Sequence, residues 1–129
     1  MYTLIIGGNG LLGSAISRFL VNNNHKVIIC DIKKNKIDIP FFQLNISKDK
    51  SFKKLFTNLK NKKIKVQNVI NCSYPKPVKF DKNPLNTNKK NFIDYFESHL
   101  WTFNYTTRAF SKYFIKNKIN GHIINFSSI

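Results

Sequence analysis

Acidic residues are scarce in this sequence. Its 129 residues hold 6 Asp and Glu against 22 Lys and Arg, which gives a formal net charge of +16. A basic excess of this size is one mark of a nucleic-acid-binding protein. Arginine is scarce as well, because only Arg18 and Arg108 are arginines, and readers of bases and phosphates usually favour the arginine fork. We therefore expect solvated surface lysines and predict no specific nucleic-acid site.

Long apolar segments and cysteine clusters are also missing. No run approaches the roughly 20 apolar residues that a membrane span needs, and the N-terminus has neither a basic region nor a small-residue cleavage site. These absences predict a cytoplasmic protein with no membrane partner. The two cysteines, Cys30 and Cys72, stand apart in apolar runs, so we predict buried thiols, no disulfide and no metal site.

An alternation of apolar runs and helical periodicities fills the chain. A hydrophobic fraction of 42% with 12 Phe is enough for a core, and the length fits one domain, 1–129. Continuous apolar runs predict strands over 2–7, 26–31, 41–46, 66–72 and 122–126. Apolar residues at helical spacing predict helices over 11–22, 47–61 and 91–118. Ser47 or Ser51 is the expected N-cap of the second helix. This order predicts an α/β fold with a doubly wound parallel sheet.

A glycine-rich turn joins the first predicted strand to the first predicted helix. Gly7-Gly8-Asn9-Gly10-Leu11-Leu12-Gly13 satisfies G-x-G-x-x-G from Gly8 and G-x-x-G-x-x-G from Gly7. Glycines at these places allow a sharp turn, close approach of backbone amides to a pyrophosphate, and tight packing of the helix on the strand. The diphosphate would lie at a helix N-terminus, where unpaired N–H groups and the helix dipole favour an anion. Residues 7–13 are therefore predicted to bind a dinucleotide.

An acid at the end of the second predicted strand fits the same site. Asp31 follows the last glycine, Gly13, by 18 residues, close to the spacing of roughly 20 residues at which a carboxylate accepts the adenosine ribose hydroxyls. Its charge would repel a 2′-phosphate, which favours NAD over NADP. Lys33 and Lys34 follow closely and could tolerate that phosphate, so NADP stays open as the alternative cofactor.

Taken in order, these motifs resemble the short-chain dehydrogenase/reductase family, from Tyr2 to Ile129. After the glycine loop, Asn71-Cys72-Ser73 stands in the place of the family's Asn-Asn-Ala-Gly segment. Gly121 to Ser128 is similar to the strand that leads to the family's catalytic serine. The resemblance implies a Rossmann-type sheet of about five strands in the order 3-2-1-4-5. It also implies an NAD(P) cofactor, a small carbonyl or alcohol substrate and a homo-oligomeric full-length protein.

The resemblance further implies roles for single residues. Ser128 matches the catalytic serine, and His99 falls where the family usually has an asparagine that supports a water relay, with Asn104 as the alternative match. Asn71, Cys72 and Ser73 would line the cofactor site. Asn45 would stand where the family often has an acid that contacts adenine.

A narrower similarity concerns the glycine loop, Asn71 to Pro75, and His99-Leu100. It resembles reductases of surface-sugar pathways, including those of legionaminic and related nonulosonic acid synthesis, and so implies a sugar or nucleotide-sugar substrate.

The family's Tyr-x-x-x-Lys pair does not occur in these 129 residues. No tyrosine has a lysine four positions later, and the sequence ends directly after Ser128. Without a phenol of lowered pKa there is no acid or base matched to hydride transfer. We therefore expect a fragment or a prematurely terminated reading frame that is inactive by itself. The alternatives are a non-catalytic dinucleotide-binding module and, third, a basic nucleic-acid-binding protein.

Overall fold

A computed structural model describes residues 1–34, 38–75 and 84–127 of the chain. Its strands are β1 (Tyr2–Ile6), β2 (Val27–Asp31), β3 (Phe41–Gln43), β4 (Val66–Asn71) and β5 (His122–Asn125). Its helices are α1 (Leu11–Asn22), α2 (Asp49–Asn61) and α3 (Lys89–Asn117), with a short 3₁₀ turn at Pro84–Asn86. These strands and helices lie where the apolar patterns predict them, and α1 has the predicted bounds. No helix in the described ranges is both long and apolar enough to cross a membrane.

One parallel sheet organises the molecule. Its strand order is β3-β2-β1-β4-β5, and every neighbouring pair is parallel. This confirms the predicted Rossmann-type fold and its strand order. The chain builds outward from β1 to β3 and then crosses back to place β4 on the other side of β1. In open α/β sheets, ligands bind at the carboxyl ends of the strands where the order reverses.

Both faces of the central strands β1 and β2 are covered. On one face, α2 and α3 bury a core against β1, β2, β3 and β4. The largest fully buried side chains of this core include Phe52, Leu55, Leu59, Phe110 and Leu4. On the other face, α1 covers a smaller cluster formed by Ile5, Val27, Ile29 and Ile39, with Ile16 and Leu20 of α1 packed against it. Burial on both faces explains why β1 and β2 show no polar alternation.

The start of α2 differs from the prediction. Its N-cap is Lys48, whose side chain makes no capping hydrogen bond, so the assignment of Ser47 or Ser51 was wrong. The Ser51 hydroxyl instead accepts a hydrogen bond from the backbone N–H of Asn45, at 2.9 Å. The Ser51 hydroxyl therefore stabilises the loop before the helix and does not cap the helix. Asp49 supplies the negative charge that a helix N-terminus favours.

Candidate functional site

A cleft of about 920 Å³ opens at the carboxyl ends of β1, β2 and β4. Its volume lies within the roughly 300–1,000 Å³ of small-molecule sites. The cleft brings together residues of five segments that are distant in sequence. From the predicted cofactor set it includes Gly7, Asn9, Gly10, Leu11, Leu12, Asp31, Asn45, Cys72 and Ser73. The other three predicted residues, Gly8, Gly13 and Asn71, are buried and do not line it.

Two glycines fix the turn after β1. Gly7 has a φ of +72°, which favours glycine, and a Cβ there would lie 2.9 Å from the backbone of Cys72 and Ser73. A Cβ on Gly13 would overlap the carbonyl oxygen of Gly7. The first turn of α1 can therefore pack onto the end of β1 only because Gly13 has no side chain.

The start of α1 is open toward the cleft. Gly10 is the N-cap, no side chain caps the helix, and its first turn contains no acid. The first N–H groups of a helix have no partner within the helix itself, and Leu11 and Leu12 line the cleft. Among the described residues, a Cβ on Gly10 would meet only the Gly7 carbonyl oxygen, at 3.2 Å. The helix start thus offers unpaired donors and a positive dipole end, an arrangement that suits a phosphate.

Asp31 is held in place by two backbone N–H groups. The N–H of Asn9 donates to Oδ2 at 2.9 Å, and the N–H of Ile32 donates to Oδ1 at 2.7 Å. The side chain of Asn9 in turn donates to the carbonyl oxygen of Lys33. Each carboxylate oxygen keeps a further acceptor position, so Asp31 can accept hydroxyl groups of a ligand from a fixed orientation. The spacing of Asp31 predicted its position but not its attachment to the glycine loop.

Asn71 lies behind the cleft. Its side chain is 0% exposed and donates from Nδ2 to Asn125 Oδ1 at 3.1 Å. Its Oδ1 accepts from the backbone N–H of Ser73 at 3.1 Å and from the Ser73 hydroxyl at 2.5 Å. These bonds join the ends of β4 and β5 and orient Ser73 toward its place in the cleft wall.

Cys72 and Asn45 form other parts of the wall. Burial raises the pKa of the Cys72 thiol, so the thiol stays protonated at neutral pH and serves as apolar surface. Asn45 lies just beyond β3, where its Oδ1 accepts from the N–H of Ser47 at 3.0 Å. The amide group of Asn45 has no protein partner among the described residues and can donate to a ligand.

His99 does not line the cleft but contacts a residue that does. Its Nδ1 lies 2.8 Å from the carbonyl oxygen of Tyr95; because a carbonyl can only accept, Nδ1 carries the proton and Nε2 is the acceptor in the neutral ring. Nε2 is buried and has no hydrogen-bond partner in the described part of the chain. The ring packs edge-on against Tyr74, with centroids 4.6 Å apart.

Tyr74, which sequence reasoning did not place in the cofactor site, lines the cleft. Its hydroxyl lies 2.8 Å from that of Tyr95, and this hydrogen bond, followed by burial, raises the pKa of Tyr74. The phenol is therefore neutral at neutral pH. Ser127 also lines the cleft, whereas Ser128, the predicted catalytic serine, lies outside the described residues.

The chain belongs to the short chain dehydrogenase family, which it matches over residues 2–129. Its fold is similar to a short chain dehydrogenase from Leptospira borgpetersenii serovar Hardjo-bovis with bound NAD+, with a TM-score of 0.82 and 21% identity over 98% of this chain and 51% of that one. It is also similar to 4-hydroxyisoleucine dehydrogenase complexed with NADH (TM-score 0.76, 23% identity, 98% and 55% covered). A third similar structure is sorbitol-6-phosphate 2-dehydrogenase from Erwinia amylovora (TM-score 0.78, 18% identity, 98% and 54% covered).

No curated protein sequence matches the chain significantly. The chain spans about half the length of the three similar structures.

Proposed function

We propose that these residues form the NAD(P)-binding half of an oxidoreductase that interconverts a carbonyl and an alcohol. The observation that carries the proposal is the uncapped start of α1 in the cleft, next to a carboxylate tied to the same glycine loop. The N–H groups of the first turn would hold the pyrophosphate, and Asp31 would accept the hydroxyls of the adenosine ribose. The bound cofactor would supply the hydride chemistry, while these residues bind and orient it.

We propose NAD as the preferred cofactor. Asp31 stands where a 2′-phosphate would bring a second negative charge, and its two backbone hydrogen bonds prevent it from turning aside. Lys33 and Lys34 are exposed near this end of the cleft, so NADP remains the alternative. Asn45 would donate to the adenine ring. Cys72 and Ser73 would form the wall along the ribose, with Asn71 as a positioning residue behind them.

At the substrate end we propose roles for Ser128 and His99. Ser128 would donate a hydrogen bond to the substrate oxygen, as the family resemblance implies. His99 would act through Tyr74, or through a water that donates to its unpaired Nε2. The similarity of the glycine loop, Asn71 to Pro75 and His99-Leu100 to reductases of surface-sugar pathways supports a sugar or nucleotide-sugar substrate of surface-polysaccharide synthesis, and the Tyr74 hydroxyl in the cleft wall can bond to such a hydroxyl-rich molecule.

The full-length protein is proposed to be a homo-oligomer. Large apolar side chains are exposed along the first half of α3, among them Phe92, Phe96 and Leu100, and apolar patches of this kind mark contact surfaces. The lysines are still predicted to form no specific nucleic-acid site.

A non-catalytic dinucleotide-binding module is the second candidate function. The observation in its favour is that nine of the predicted cofactor residues line the cleft, whereas His99, the predicted catalytic-helix residue, does not. The two candidates share the cofactor site and differ in turnover, so binding and catalysis must be measured separately.

The experiment that tests the cofactor site is titration of NADH fluorescence with the chain and with Gly10→Val. The substitution leaves φ in an ordinary region but places a branched side chain at the helix start, so we expect NADH affinity to fall at least about tenfold, or roughly 1.4 kcal/mol. Ala15→Val, on the exposed side of α1, is the matched control and should bind like the unaltered chain. Equal NADH affinity of Gly10→Val and the control would sink the assignment.

A further inference from the structure

A second cleft lies between α2 and α3 and shares no residue with the dinucleotide cleft. Its volume of about 720 Å³ is again that of a small-molecule site. The floor is apolar and comes from both helices and the segment after α2; it is formed chiefly by Phe56, Ile64, Tyr105, Ala109 and Tyr113. All five side chains are only half-buried, so the floor is accessible to a ligand.

Ring contacts hold this floor in shape. Phe56 and Tyr113 stack with centroids 5.4 Å apart and planes 11° apart. The hydroxyl of Tyr113 accepts a hydrogen bond from the N–H of Val66 at 3.2 Å, which anchors the ring to the sheet. Tyr105 packs edge-on against buried Phe52 at 5.0 Å. A cleft with a rigid aromatic floor loses little entropy when an apolar chain lies on it.

The rim of the cleft is strongly basic. Seven of its fifteen lining residues are cations, against 22 of 129 in the whole sequence, so the cluster exceeds the general basic background. They come from α2 (Lys53 and Lys60), from the segment after α2 (Lys63 and Lys65) and from α3 (Arg108, Lys112 and Lys116). The last three are four residues apart on α3, a spacing at which like charges repel one another. None of the lining residues in the described part of the chain is acidic.

Other occupants fit this cleft poorly. Two copies of the chain meeting here would bring fourteen positive charges together. Chain that extends the sheet past β5 would lie on the far side of α3 from α2, because β5 is the edge next to β4. The acid that reaches this region, Asp49, interacts with Tyr105 and does not line the cleft. A nucleic acid would meet an apolar floor with a single arginine, Arg108, at its rim.

We propose that the cleft between α2 and α3 binds a single-chain anionic amphiphile of the fatty-carboxylate class. The acyl chain lies on the aromatic floor, and the carboxylate is held by the lysines of the rim. An apolar chain would bury the exposed surface of the floor, and one anionic group would reduce the repulsion between the cations along α3. A ligand that is charged along its whole length would not match the apolar floor, and an uncharged ligand would not match the basic rim.

The chain carries its own reporter for this site. Trp101 is the single tryptophan, and its ring lies 5.9 Å from that of Tyr105, which forms part of the floor. A ligand on the floor therefore changes the surroundings of the Tyr105–Trp101 pair. Titration with sodium dodecanoate below its micelle concentration should change the Trp101 emission along a saturable one-site curve.

Charge reversal tests the rim. The double variant Lys60→Glu/Lys112→Glu alters one exposed lysine on each side of the cleft and should weaken dodecanoate binding tenfold or more. The matched control, Lys50→Glu/Lys54→Glu, makes the same change in net charge at exposed positions of α2 that do not line the cleft. It should stay within twofold of the unaltered chain. Ala109→Phe, which fills the floor, should also weaken binding tenfold.

Several outcomes would overturn the proposal. They are a linear, unsaturable response to dodecanoate, equal binding of cationic dodecyltrimethylammonium, and equal weakening of the control pair. If the chain bound anionic phospholipid vesicles but not monomeric dodecanoate, the proposal would be wrong and the cleft would instead be part of a membrane-binding surface. NADH affinity is measured on the same variants and should not change, so the result is independent of the dinucleotide site.

Discussion

The two clefts of this molecule are built to attract negative charge in opposite ways. The cleft at the end of β1 uses main-chain N–H groups and the start of α1, with glycines that keep side chains out of the way. The cleft between α2 and α3 uses seven cationic side chains around an aromatic floor. Backbone donors are fixed by the fold and recognise the shape of a phosphate, whereas lysines are flexible point charges that recognise sign alone.

The comparison teaches that net charge is a poor guide to the functional site in this chain. The sum of +16 draws attention to the lysines, yet the wall of the dinucleotide cleft carries Asp31 and has no lysine among its described residues. Three measurements would sharpen or break this contrast between a backbone-built site and a side-chain-built one.

The largest effect concerns catalysis at the backbone-built cleft. The 129-residue chain should bind NADH but show no turnover with sugar or nucleotide-sugar carbonyls, because general acid–base catalysis contributes roughly 10²–10⁴-fold and the Tyr-x-x-x-Lys pair is not among these residues. Tyr74 cannot take over as a phenolate at neutral pH, since the hydrogen bond with Tyr95 raises its pKa. NADH consumption by the purified chain is the assay. Turnover comparable to that of a complete family member would contradict the prediction and direct attention to His99 and Tyr74.

The next largest effect distinguishes Asn71, proposed as a positioning residue behind the cleft, from Asn45, proposed to contact the cofactor. Asn71→Ala removes three hydrogen bonds, one with Asn125 and two with Ser73; at about 0.5–1.5 kcal/mol for each bond, we expect the unfolding free energy to fall by about 1–3 kcal/mol. Urea unfolding measures this loss. Asn45→Ala, at the half-buried cleft wall, should cost less stability but lower NADH affinity. The reverse pattern would show that Asn71 contacts the cofactor directly.

The smallest effect concerns cofactor choice. Asp31→Asn keeps one oxygen that can accept from the N–H of Asn9, loses the acceptor for the N–H of Ile32 and removes the negative charge. We expect the preference for NADH over NADPH to fall about tenfold, or roughly 1.4 kcal/mol, measured as the ratio of the two dissociation constants. An unaltered chain that already prefers NADPH would mean that Lys33 and Lys34 outweigh the carboxylate.

Features that depend on neighbouring residues were predictable from the sequence. The bounds of α1 follow from its helical periodicity and the glycines before it, and the position of Asp31 follows from its spacing along the same strand–helix–strand unit. The sheet order follows from the family resemblance and is confirmed.

Features that join distant residues were not predictable. The hydrogen bond between Asn9 and Asp31 spans 22 residues, and the contact between Tyr74 and Tyr95 spans 21. The cleft between α2 and α3 combines residues from 52 to 117. The sequence does not distinguish the lysines of its rim from the other lysines, because they come together only when the two helices pack side by side. The prediction of the N-cap of α2 was wrong for a similar reason on a shorter scale. The Ser51 hydroxyl accepts a hydrogen bond from the backbone N–H of Asn45, six residues earlier, and does not cap the helix.

The central claim is that the backbone-built cleft, and not the lysine-rich one, holds the dinucleotide. Its most direct test is the change in backbone amide NMR shifts of the ¹⁵N-labelled chain as NADH is added. We expect the largest shifts at Gly10, Leu11, Leu12 and Asp31, while the shifts of Lys60 and Lys112 stay unchanged. Largest shifts at Lys60 and Lys112, with the glycine loop unaffected, would contradict it.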